Sequence, residues 1–310
     1  MAQTSVASIG KARVQRTAKK RGILSIERPV IWLLPAVVSL FLFSIFPLFF
    51  NLYRSFFRFD PSTKVFLPIG TRNWTELIQD PRVHNSLWVT LQYTTIALVI
   101  ELVLGMVIAL LFDQEPLGLP VLTSVIILPM VVPPAVTGLI FQLLEHSEFG
   151  VLSWVLYGLG LLQPSEPLLG GTGRHALMGV LFADIWQWTP FMILIFSAGL
   201  KALPPEPLEA ALVDGASAWQ RFWFVIVPLL RPVIAIAILV RLIDLYRVFD
   251  YIYLMTAGGP GRATEVISYY TYTQAFGFTK WGYASALGMF ILILINLIAI
   301  VGTKVLKVEW

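Results

Sequence analysis

Two stretches of this sequence place polar chemistry among apolar residues. Arg241, Asp244, Arg247 and Asp250 follow one another at intervals of three, a spacing that lets opposite charges pair along a helix. Upstream, the run Asp184, Ile185, Trp186, Gln187, Trp188, Thr189, Pro190, Phe191 combines a carboxylate, an amide and two indoles. A pyranose has an apolar CH face that packs on aromatic rings and a rim of hydroxyls that needs donors and acceptors, so this run suits a polyhydroxylated ligand. Each stretch has two open readings. The charge series is a neutral structural ladder, a role that fits the outer pair Arg247 and Asp250 best, or its deeper members Arg241 and Asp244 face a ligand. Trp186 and Trp188 are interfacial or packing aromatics, or they are the stacking surface.

The elements that must carry these groups are membrane spans. Of the 310 residues 57% are hydrophobic and 13% charged, against about 25% charged in soluble domains. Apolar runs long enough to cross a ~30 Å hydrocarbon core fall near 30–53, 84–112, 119–144, 176–200, 223–255 and 283–306. With no water in the bilayer to satisfy backbone groups, such runs predict an all-α membrane protein, a bundle of six transmembrane helices. Ionisable groups inside spans are costly and face protein or a wet cavity, which makes the charged stretches functional candidates. Pro190 offers a kink in the fourth span, and Pro129, Pro133 and Pro134 offer one in the third. Glu101 and Asn296 read as helix-to-helix hydrogen-bond partners.

Orientation follows from positive charge. Residues 1–28, a basic tail, carry Lys11, Arg13, Arg16, Lys19, Lys20, Arg21 and Arg28 against Glu27, which argues for a cytoplasmic amino terminus ahead of a six-helix domain at 29–308. The tail sets topology alone or also docks on anionic lipid or a partner. Six spans return the carboxyl terminus, with Lys304 and Lys307, to the same side. Residues 145–174 then lie outside, as a surface for a partner or a short interfacial helix. There is no cysteine, and His146 and His175 lack metal-ligand spacing, so no metal site is assigned.

Between the fourth and fifth spans lies a polar loop, 203–222. Pro204 and Pro205 suit a first helical turn with Glu206 and Glu209 near its positive end, Gly215 suits a left-handed closure, and Ser217 with Gln220 reads as a capping box opening a second helix. Leu208, Leu212, Trp219, Phe222 and Ile226 recur at spacings of three, four or seven. Such an amphipathic segment lies in the membrane interface or docks a partner.

The pattern Glu209, Ala210, Ala211, three residues, Gly215, nine residues, Val225, one residue, Val227, Pro228 resembles the EAA loop of permease subunits of binding-protein-dependent ABC importers, and Asp214, Ala216 and Phe222 fit it. Thr256, Ala257, Gly258, Gly259 and Pro260 resemble the T-x-G-G-P loop of the carbohydrate branch, of the maltose, multiple-sugar and glycerol-phosphate type. The resemblance implies the type I importer fold and a multi-pass protein of a bacterial or archaeal inner membrane. It makes Glu209, Ala210, Ala211, Asp214, Gly215 and Phe222 the coupling segment, with Glu209 in polar contact with the ATPase and Gly215 setting the bend. It implies a second homologous permease, two ATP-binding subunits that hold ATP and Mg, and an extracytoplasmic solute-binding protein; no nucleic acid and no cofactor on this chain are expected. Counted from the EAA glutamate, sugar-contacting positions of maltose-type permeases correspond to Asp184, Gln187, Trp188, Phe191, Arg241, Asp244, Leu245 and Val248.

The chain has no G-x-x-x-x-G-K-[ST] phosphate loop and no nucleophile, metal or acid-base constellation, so no catalytic residue is assigned. The rival class is an ion-coupled secondary transporter using Asp184, Asp244 or Glu101.

Overall fold

The structure is a computed structural model and describes residues 29–305. The basic cluster Lys11 to Arg28 and Lys307 lie outside the described residues. The chain divides into two units, Met1–Phe50 and Asn51–Trp310. In order, the elements are α1 (Pro29–Leu40), a π-helical turn, α2 (Phe46–Arg54), strands β1 (Phe57–Asp60) and β2 (Val65–Pro68), then α3 (Arg72–Gln79), α4 (Pro81–Asp113), α5 (Leu119–Val131) and α6 (Pro134–Leu144). They continue with α7 (Val151–Gly158), α8 (Gly173–Lys201), α9 (Pro205–Val213), α10 (Ala218–Arg221), α11 (Val227–Leu245), α12 (Ile267–Tyr272) and α13 (Trp281–Val305).

Among the described residues five helical stretches are long and apolar enough to cross a membrane: Trp32–Arg54, Pro81–Asp113, Gly173–Lys201, Ala218–Leu245 and Trp281–Lys304. The sixth expected span is a bent pair. α5 and α6 meet at 96° across Val132 and Pro133, because Pro133 and Pro134 remove two consecutive backbone donors and hold Val132 extended. Packing shows how this pair must be counted. One buried cluster joins Val89, Tyr93 and Ala97 of α4 to Val180, Leu181 and Ala183 of α8. Another joins Met106 and Ala109 to Met192, Phe196 and Leu200. The two helices therefore run parallel, and the chain between them crosses the bundle once. α11 runs the other way, with Leu230 in the second cluster and Leu245 in the first. The α4–α8 crossing is tight at Gly105, where an added Cβ would lie 2.3 Å from the Met192 Cβ.

One expectation needs correction. The fifth span does not run to 255: α11 ends at Leu245, and a short non-helical break precedes the next turn. The fold also holds a small antiparallel hairpin, Phe57 opposite Pro68 and Asp60 opposite Val65. Phe59 pairs with Phe66 across it and stacks on Trp281 at 4.2 Å, so aromatic pairing stabilises a loop that carries no turn glycine. α8 remains helical through Pro190. The segment 145–174 contains one short helix, α7.

At the hairpin end of the bundle Asp80 joins three helices. It caps α4 through the Arg82 amide and accepts from the Tyr270 hydroxyl at 2.6 Å and the Tyr283 hydroxyl at 2.8 Å. Burial pushes its carboxyl up, but the two tyrosines, the Arg82 amide and the Arg82 charge outweigh it and hold it below the usual range. Beside it the Arg82 guanidinium donates to both oxygens of Glu265.

Candidate functional site

The charged stretches of α8 and α11 meet at Arg241. Its Nε donates to Glu101 Oε2 at 2.7 Å, one terminal nitrogen to Glu101 Oε1 at 2.8 Å and Asp184 Oδ2 at 2.7 Å, and the other to Asp244 Oδ2 at 2.5 Å. One guanidinium thus ties α4, α8 and α11 together, using the planar fork that a lysine lacks. Arg241, Glu101 and Asp184 are buried, while the Asp244 side chain is 50% exposed. The face of Trp188 lies 5.0 Å from the guanidinium carbon.

A pocket of about 70 Å³ opens beside this network, lined by Pro134, Asp184, Trp188, Arg241, Asp244, Arg247, Val248, Phe249, Asp250 and Tyr251. It has room for about two waters and is smaller than the ~300 Å³ at which ligand sites begin. It is a wall too small to enclose a ligand by itself. The structure brings Asp184, Trp188, Arg241, Asp244 and Val248 to this wall. It places three other expected residues elsewhere. Leu245 is fully buried in the cluster around Tyr93, the upper cluster, and Phe191 packs against the one around Phe196, the lower cluster. Gln187 has both ends of its amide engaged: the nitrogen donates to the Val132 carbonyl at 2.5 Å and the oxygen accepts from Tyr251 at 2.5 Å. Gln187 therefore satisfies a carbonyl freed by the break between α5 and α6.

The expected ladder along α11 stops after its first pair. Arg241 and Asp244 pair, but the helix ends before Arg247 and Asp250, and among the described residues neither of these is in a salt bridge. Tyr251 is a member of the site that its sequence context does not mark; it also accepts from the Trp188 indole at 3.2 Å. Glu101 does act as a helix-to-helix partner.

The loop after α8 has the expected local structure. Pro205 opens α9 with Glu206 in its first turn. Gly215 is left-handed at φ +73, and the Ala216 and Gly215 amides donate to the Ala211 and Leu212 carbonyls, the paired bonds that close a helix around such a glycine. Both bonds of the Ser217–Gln220 capping box are present. Glu209, Ala210, Asp214 and Gly215 are exposed and Ala211 is half-buried. Leu212, Val213 and Trp219 are also exposed. Phe222 instead packs against the lower cluster and anchors the loop to the bundle. In the Thr256 to Pro260 loop Gly258 has φ +82, and a Cβ there would lie 2.9 Å from the Tyr269 ring. The Thr264 hydroxyl closes this loop on the Gly259 carbonyl.

A parallel pair of long apolar helices, a third running the other way, a bent pair between them and an exposed short helix at one end mark a multi-span membrane protein. Residues 101–307 match the family described as the binding-protein-dependent transport system inner membrane component, and the chain belongs to that family. The trehalose/maltose transport system permease protein MalF of Thermococcus litoralis is 33% identical over 277 residues, covering 88% of this chain and 91% of that one. Two solved structures share the fold at 21% identity. One is a bacterial ABC transporter involved in the import of the acidic polysaccharide alginate, with TM-score 0.76 over 90% of this chain and 94% of that one. The other is a bacterial alginate ABC transporter in complex with an alginate pentasaccharide-bound periplasmic protein, with TM-score 0.75 over 89% and 92%.

Proposed function

We propose that this chain is the permease subunit of an ATP-driven importer for a sugar or sugar derivative, lining half of the pathway with the wall around Arg241 and receiving the ATPase on α9. The observation that carries the reading is α9 itself. It is a short helix opened by Pro205 and closed at Gly215, exposed along Glu209 and Ala210, and joined through Phe222 to the bundle that holds the polar wall. A load on such a helix moves α11 as a body. Trp188 beside carboxylates supports a saccharide, as does the trehalose/maltose name of the relative at 33% identity. The small volume of the wall supports a second permease that supplies the other half. The periplasmic protein bound to the alginate transporter supports an external binding protein. A place for it is the cavity of about 690 Å³ at the hairpin end, lined by Arg58, Arg72, Glu76, Lys280, Phe59 and Phe278 among others. On this reading the termini and α9 face the cytoplasm, which the basic cluster before residue 29 supports. An ion-coupled carrier fits less well, since Arg241 neutralises the buried Glu101 and Asp184 and leaves only the exposed Asp244 with an oxygen not bound to Arg241.

Uptake of labelled saccharide into proteoliposomes holding this chain, its partner permease and the ATPases, with the binding protein added, tests the reading. Uptake requires ATP and is indifferent to proton and sodium gradients. Uptake driven by either gradient without ATP replaces the importer with a secondary transporter.

A further inference from the structure

We propose that the wall around Arg241 selects saccharides by charge, admitting neutral or amino sugars and rejecting acidic ones. The inference rests on the saccharide reading above and adds the sign of the cargo. On the sequence alone Arg241 leaves room for an anionic sugar if Asp244 does not neutralise it, and in the structure Asp244, Asp184 and Glu101 all pair with it. Of the five N–H groups of a guanidinium, four are directed at Glu101, Asp184 and Asp244. Three carboxylates face one cation, and the rim adds one charge of each sign, Arg247 and Asp250. The Trp188 N–H is also taken, by Tyr251.

Arg247 is left as a donor on the rim, but over the whole lining the carboxylates Asp184, Asp244 and Asp250 outnumber the guanidiniums Arg241 and Arg247. Asp244 is half exposed on the pocket, and only its Oδ2 is bound to Arg241. Hydroxyl and ammonium groups donate to such oxygens, whereas a ligand carboxylate, phosphate or sulfonate offers acceptors alone. An acidic group would find in Arg241 one uncommitted N–H, on the nitrogen already bound to Asp244 and close to Asp184, and like charges in contact oppose binding strongly.

Equilibrium binding to the purified complex of both permeases and the ATPases, without the binding protein, reads this wall directly. The probes are trehalose, the derivative with one hydroxyl replaced by an amine, and the derivative with one hydroxymethyl oxidised to a carboxylate. The neutral and amino probes bind, and the carboxylate probe binds weaker by about tenfold or more. Asp244→Asn, which leaves Arg241 its bonds to Glu101 and Asp184, weakens the amino probe relative to trehalose by about tenfold and narrows the gap to the carboxylate probe. Carboxylate binding equal to trehalose in the unaltered protein overturns charge selection while leaving the saccharide reading intact, as does an unchanged ranking in Asp244→Asn. Binding of none of the three removes the saccharide reading and this inference with it.

Discussion

Arg241 is the residue whose loss has the clearest physical cost. Its removal leaves Glu101 and Asp184 buried without a counter-charge, and breaking a buried pair in this way costs about 3–5 kcal/mol. Arg241→Ala is therefore expected to lower the thermal unfolding midpoint of the purified complex sharply. Arg241→Lys restores little of it, since one ammonium cannot span three carboxylates held by a planar fork. Equal midpoints for Lys and Arg would show that charge alone holds the network. Gly215 is a different case, because an added Cβ meets nothing within 4 Å and only its φ of +73 resists substitution. A β-branched residue there costs roughly 1–2 kcal/mol of local strain, small for the bundle but enough to shift the bend between α9 and α10. Gly215→Val is expected to insert normally and hydrolyse ATP without matching uptake, whereas Gly215→Asn, which tolerates the left-handed region, keeps the two coupled. Normal uptake per ATP in Gly215→Val would remove α9 from the coupling path.

The elements legible in the sequence are those whose cause is local. Gly215, Ser217 and Gln220 satisfy backbone groups within a few residues, so the turn from α9 to α10 was readable. So were the apolar runs and the kink at Pro133 and Pro134. The size of that bend was not, since the Val132 carbonyl it frees is satisfied by Gln187, 55 residues away, and an amide in a sugar-like motif carries no mark of that duty. Nor did the stretch Tyr246 to Asp250 announce the end of α11, for it holds neither glycine nor proline. A further element-scale consequence comes from Glu145, just past α6. It is fully buried, neither carboxylate oxygen is hydrogen-bonded, and a Cβ on Gly179 would lie 2.5 Å from its Oε2. Burial alone pushes its pKa up to about 8. The folded state then holds a proton that the unfolded chain releases near the ordinary value of about 4.3, so the stabilising contribution is complete below that value and is lost as pH rises toward 8. Protection of the α7 amides relative to their intrinsic exchange rates is expected to fall over that range, since the Ser153 hydroxyl ties α7 to the Glu145 backbone carbonyl. Glu145→Gln flattens the dependence; a slope that persists in this variant assigns it to another group.

At the scale of the whole molecule, the parallel course of α4 and α8 places the hairpin, α7 and the loop from Thr256 to Thr264 at one end and α9 with α10 at the other. The sides of the membrane then follow from one bit of information, which charge supplies: the dense basic cluster before residue 29 favours the cytoplasm for α9. The absence of cysteine makes this directly measurable, because a single introduced thiol has no background. Val213 is 88% exposed at the end of α9, and Thr63 is exposed between β1 and β2. A membrane-impermeant maleimide is expected to label Thr63→Cys in intact cells and Val213→Cys only in inverted vesicles. Bound ATPase should shield Val213→Cys and leave Thr63→Cys reactive. Labelling of Val213→Cys from outside would put α9 where no ATPase can reach it, and the coupling role would fall even though the fold stands. Shielding without the expected sidedness cannot arise from cytoplasmic docking, so the two measurements test the orientation and the interface separately.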